Sequence, residues 1–195
     1  MPQIEYAVDI WDLSGTDGRP NAEQLLEHLR EELLALVEED HGFVSPPEHD
    51  PDSDQVQRQR LELLGRLRRR LVQILDTYGW PGKSLVGDDG AEAAWMLALH
   101  TMPDPDVLRR CLRLLEDAAA AGEAEPWQVA FLVDRVSLVE RNVQVYGTTI
   151  CRQEDGRFAP PLLEDPEQVD ARRQAVGLPP LEEDIRRIEQ FYSGN

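Results

Sequence analysis

The chain has 195 residues, enough for one domain with a real core, and its 41% hydrophobic content excludes disorder throughout. Its 38 acidic against 20 basic residues give a net charge of −18; that argues against binding bare nucleic acid, whose phosphates need Lys and Arg, and favours basic partners or simple solubility. No apolar run approaches the ~20 residues of a membrane helix, and the first residues lack a basic segment leading into an apolar one, so a cytoplasmic, non-membrane protein is expected.

Residues 3–13 alternate in part, with Ile4, Tyr6, Val8 and Ile10 on one face, and predict a strand followed by a turn at residues 14–20. Asn21 and Gln24 form a capping-box pair for a helix to about Asp40, with Leu25, Leu26, Leu29, Leu33, Leu36 and Val37 as its apolar stripe. Residues 42–52 are proline-rich and acidic and read as a loop. A long helix is expected from Asp54 to Tyr78, its stripe written by Leu61, Leu64, Leu67, Leu71, Leu75 and Tyr78. Gly79 stops it and Pro81 prevents its resumption. The glycine-rich stretch 79–90 reads as loop, and Asp88 or Asp89 then caps a short helix ending at His100.

Asp104 with Pro105 opens the next helix, which carries Leu108, Cys111, Leu112 and Leu115 and closes at Gly122. Pro126 opens another. Residues 142–150, with Val143, Val145 and Ile150, predict a strand or extended segment, and residues 156–161 a turn. Asp165 and Pro166 open a helix that ends near Gly177, and a last helix runs from Leu181 to about Phe191. The fold class expected is mainly α: a compact helical domain with at most one small β-hairpin or short extended segment. Residues 1–45 form an N-terminal strand-and-helix appendage to a helical core at 54–193, or one single domain with it.

Most chemical motifs fail on spacing. Gly82-Lys83-Ser84 resembles the end of a phosphate-binding loop, but Thr77 stands where the first glycine is needed, and a helix rather than a strand precedes it. Asp50, Asp52 and Asp54 start like a calcium loop, yet Gln55 and Leu61 replace its glycine and its bidentate glutamate. His28, His41, His49 and His100 lack zinc-site spacing, so no metal ligand is assigned from the sequence, while a His-plus-carboxylate site assembled in three dimensions stays open. No serine sits in a nucleophile elbow. Cys111 and Cys151 make no CxxC and are expected to be reduced. Cys111 falls on an apolar stripe, where an inert buried thiol is the common case.

What remains is polar residues in apolar surroundings. His100 ends a hydrophobic helix, Asp134 and Arg135 interrupt Phe131 to Leu138, and Gln144, Tyr146 and Thr148 alternate along one face of the expected strand. Buried polar groups must be paired, so these residues either satisfy one another as architecture or line a pocket.

Several of them fall in an ordered series: Gly79-Trp80-Pro81, His100, Asp134-Arg135, Gln144-Val145-Tyr146-Gly147-Thr148, Val169-Asp170, Arg172-Arg173 and Val176-Gly177-Leu178. The series resembles an uncharacterised bacterial family, a domain of unknown function, over roughly residues 54–190. Asp40-His41 stands where relatives carry Asp-Gln. Leu99 and Thr149 depart from the pattern, each occupying the place of a glutamine. The resemblance implies no known reaction, and the cofactor stays unknown. It does imply that His100, Asp134, Arg135, Gln144 and Tyr146 belong to one constellation.

Three functions compete. In a small enzyme acting on a small polar or peptide substrate, His100 would be the acid or base and Asp134 would orient it, with Arg135, Gln144, Tyr146 and Thr148 binding the substrate. An acidic interaction module, such as an immunity, inhibitor or accessory protein, would instead bind a basic protein partner. A metal-dependent module would use His100 with carboxylates. The localised constellation favours the enzyme over the diffuse acidity.

Overall fold

A computed structural model describes residues 21–44, 54–100 and 104–193. Among these residues the chain forms helices α1 (Ala22–Val44), α2 (Asp54–Tyr78), α3 (Lys83–His100), α4 (Pro105–Ala120) and α5 (Pro126–Arg141). Strands β1 (Cys151–Arg152) and β2 (Phe158–Ala159) follow, then a 3-10 turn at Pro166–Gln168, α6 (Val169–Ala175) and α7 (Leu181–Ser193). The protein is mainly α with one small antiparallel hairpin, in which Cys151 pairs with Ala159 and Arg152 with Phe158. The strand expected at 3–13 lies outside the described residues. No helix among the described residues is long and apolar enough to cross a membrane.

Helix α1 begins as its sequence dictates. Asn21 Oδ1 accepts from Gln24 N at 2.8 Å and Gln24 Oε1 accepts from Asn21 N at 2.9 Å, the reciprocal capping box. Its buried stripe of Leu29, Leu33 and Val37 enters the same core as α2 to α5, and Arg30 clasps Asp89 of α3. Helix α2 has the expected bounds, and Leu67, Leu71 and Leu75 of its expected stripe are buried, but the inward face is shifted at both ends. Leu63, Leu67, Leu71 and Ile74 are buried, while Leu61 is 64% and Tyr78 43% exposed. Leucines lie on more than one side of this helix, and packing against its neighbours chooses between them.

Helix α3 starts at Lys83, inside the stretch read as loop. Its first turn is satisfied from across the chain: Lys83 N donates to Glu123 O at 3.2 Å, and Ser84 N to Glu123 Oε2 at 2.8 Å. Lys83 pairs with Glu125. A carboxylate therefore occupies the helix N-terminus that a phosphate-binding loop would leave for its ligand. Gly87, at φ 73° and ψ 173°, kinks the helix, and Asp89 accepts from Gly90 N at 2.8 Å as the helix resumes. Only glycine adopts such a backbone without strain.

Asp104 caps α4 as expected, its side chain accepting from Asp106 N and Val107 N. Helices α4 and α5 pack as a hairpin. The start of α3 meets the segment before α5 at Lys83 and Glu123, and Trp95 Nε1 of α3 donates to Gln128 O of α5 at 3.1 Å. Trp95, Trp127 and Phe131 form an edge-to-face trio with ring centroids 4.9 to 6.0 Å apart.

Residues 142–150 are not a strand. They wrap as an irregular loop whose one sheet-like pairing is a parallel bridge from Gln144 to Leu163. Side chains of Asp134 and Gln144 take the N–H groups of Val145, Tyr146, Thr148 and Thr149, so β-branched residues here need no strand partner.

Candidate functional site

The structure sorts the expected constellation into two groups. The first is the loop 144–149 and the residues that hold it. Asp134, fully buried on α5, accepts from Val145 N at 2.6 Å, Tyr146 N at 2.8 Å, Thr148 N at 2.8 Å and Thr148 Oγ1 at 2.9 Å. Gln144, also fully buried, closes the loop on itself: its Oε1 accepts from Thr149 N at 2.7 Å and its Nε2 donates to Thr149 O at 2.9 Å. The carbonyls are met from α6. Arg172 Nε donates to Val145 O, and Arg173 Nη1 to Tyr146 O, both at 2.8 Å. Arg173, 0% exposed, also donates to Pro179 O at 2.6 Å and pairs with Asp184 of α7.

The Asp-Arg, Gln-x-Tyr-Gly-Thr and Arg-Arg segments of the sequence are thus parts of one object. Gly147 sits at the bend with φ 67°, where a Cβ would lie 3.1 Å from Leu163 and 3.3 Å from Leu181. Left-handed backbone and close packing together favour glycine there.

The second group surrounds His100. As the last residue of α3, it brings Nδ1 to 2.5 Å from Oδ2 of Asp40, in the closing turns of α1. The carboxylate is nearly sealed, its side chain 7% exposed, whereas the imidazole is 39% exposed. Nδ1 is the ring nitrogen that faces the carboxylate, and Nε2 is the one not engaged by it. The His41 ring lies 6.1 Å from that of His100, tilted by 53°. One ligand atom each from Asp40, His41 and His100 fall within 4.8 Å of one another, so this corner could also hold a metal ion.

The carboxylate beside His100 is therefore Asp40, while Asp134 spends its oxygens on the 144–149 loop. Sequence reasoning did not select Asp40, though a signal was present. Asp40 continues the stripe Leu29, Leu33, Val37 at helical spacing, and a carboxylate on a buried stripe needs a partner.

Of the other expected site residues, Thr148 and Gln144 have their side chains engaged in the loop. Arg135 and Tyr146 are half-buried, and among the described residues neither side chain has a hydrogen bond or ion pair. Burial pulls the Arg135 guanidinium below its ordinary pKa. In a chain with so many acids, a half-buried arginine that meets no carboxylate among the described residues is out of the ordinary.

The pattern of a family of unknown function, DUF6624, matches residues 27–195, and the chain belongs to that family. The match takes in most of α1, including Asp40 and His41. No curated protein and no solved structure matches the chain.

Proposed function

We propose that the protein is a small enzyme in which His100 is the acid–base group and Asp40 orients it, acting on a small polar or peptide substrate. The observation that carries this reading is the 2.5 Å pairing of a buried carboxylate with a half-exposed imidazole. Asp40 fixes the tautomer and stabilises the imidazolium that forms when Nε2 accepts a proton. From Nε2 the proton can then pass to a leaving group, which suits hydrolysis or group transfer.

Arg135 supports an anionic group on the substrate. Arg135 follows Phe131 by about one helical turn on α5, a helix that packs against α3 through Trp95, and α3 ends at His100. With no carboxylate partner among the described residues, the Arg135 guanidinium can bind a carboxylate or phosphate in bidentate fashion. Asp134, Gln144 and Thr148 contribute by shaping the loop that carries Tyr146.

The test is turnover of chelator-treated protein on panels of carboxyl esters, peptide anilides and phosphate esters. His100→Ala and Asp40→Asn, each shown to be folded, are expected to lose roughly 100-fold or more of any activity found. Undiminished turnover by His100→Ala removes the role given to it, and capture of a basic protein by wild type without turnover favours the interaction module.

A further inference from the structure

We propose that Asp40, His41 and His100 bind one first-row divalent cation of the zinc type. Despite 38 acidic residues in the chain, no other group of three His, Cys, Asp or Glu side chains among the described residues brings its ligand atoms together in this way. Two imidazoles and a carboxylate suit Zn²⁺, Co²⁺ or Ni²⁺ better than Mg²⁺ or Ca²⁺, which prefer all-oxygen sets. Three protein ligands leave a fourth position for water or substrate, the pattern of catalytic rather than structural zinc.

The geometry is close to what an ion demands. Bonds of ~2.0–2.2 Å at tetrahedral angles put neighbouring ligand atoms roughly 3.4 Å apart. Here the three atoms lie within 4.8 Å, so adjustments of about 1 Å complete the set. His41, exposed in the last turn of α1, approaches by turning about its side-chain bonds, and the 2.5 Å contact between Asp40 and His100 opens by about 1 Å to admit the ion.

Electrostatics favour the ion independently of that distance. Asp40 is 5% exposed, and among the described residues no arginine or lysine pairs with it. A carboxylate this buried needs a compensating partner, and a cation held with the two imidazoles supplies one. His100 ends α3 and Asp40 and His41 lie in the closing turns of α1, so two helix C-termini, each with a partial negative charge, converge on the same point.

Binding does not rest on the acid–base reading. An ion held through the His100 nitrogen that faces Asp40 would displace the proton shared between them to the other ring nitrogen. The metal-loaded and proton-transferring forms of His100 are then alternatives, and the ion would suppress proton transfer by this imidazole.

The experiment is titration of tag-free, chelator-stripped full-length protein with Co²⁺, followed by calorimetry and by the visible bands of tetrahedral cobalt, then displacement by Zn²⁺. The expected result is one ion per chain, with affinity reduced 10-fold or more in each of His41→Ala, His100→Ala and Asp40→Asn. His41→Ala is the deciding variant, because its exposed side chain leaves the core untouched. Absence of stoichiometric binding to wild type, or wild-type affinity in His41→Ala, overturns the site. Turnover by chelator-stripped protein that fails to bind cobalt would leave the acid–base pair standing alone; cobalt binding with no turnover would leave the metal site standing alone.

Discussion

Asp134 grips Thr148 twice, by its backbone N–H at 2.8 Å and by its hydroxyl at 2.9 Å. With Val145 N and Tyr146 N, the same carboxylate closes a loop of the chain onto α5. Removing it strands buried donors, so Asp134→Ala is expected to destabilise the fold by about 3–5 kcal/mol. Asp134→Asn keeps one acceptor oxygen and should lose less. Urea unfolding at neutral pH measures both; equal stability of Asp134→Ala and wild type would show that the loop is held by something else.

Arg173 joins that loop to α7, with its guanidinium divided among Tyr146 O, Pro179 O and Asp184. A lysine has the charge but not the fork. Arg173→Lys is therefore expected to destabilise by about 2–4 kcal/mol and to raise amide exchange in residues 145–149. Exchange rates unchanged in that segment would mean that Arg173 does not hold it.

The cysteines should differ sharply. Cys111 is sealed in the core, and burial pushes its thiol up to about 12. Cys151 is exposed beside an open cavity of about 670 Å³ that Phe158 and Tyr192 help to line. A maleimide at mildly alkaline pH should label the native protein once, at Cys151, and reach Cys111 only after unfolding. Labelling of Cys111 in the native state would contradict the packing of α4.

Acid should loosen the contacts of α1. The Arg30 guanidinium holds Asp89 below the ordinary carboxylate range, and Arg66 does the same for Glu39. A carboxylate depressed on folding adds stability that is present above its unfolded value of roughly 4 and is lost as pH falls through its folded value. Asp89→Asn should flatten the acid limb of a stability-against-pH curve and leave its shape near neutrality unaltered. An identical acid limb would mean that the clasp contributes nothing to stability.

Helix starts and stops were legible wherever the capping chemistry is local. Asn21 with Gln24, Asp104 with Pro105, and Gly79 ahead of Pro81 mark boundaries that the structure keeps. Where the partner is distant, the reading failed. The start of α3 depends on Glu123, far along the chain, and stretch 142–150 gives up a strand because Asp134 and Gln144 supply its hydrogen bonds. Polarity in apolar company did pick out residues that matter, but which carboxylate meets which imidazole depends on how α1 docks on α3. Asp40 was visible as a charge on a buried stripe, and its partner was not.

The pairing of Asp40 with His100 is tested most directly by ¹⁵N-resolved NMR of the imidazoles in chelator-treated protein above pH 7. His100 is expected to carry its proton on Nδ1, with Nε2 unprotonated, and to lose that preference in Asp40→Asn. A proton resident on Nε2 in the wild type, or a tautomer indifferent to Asp40, would contradict it.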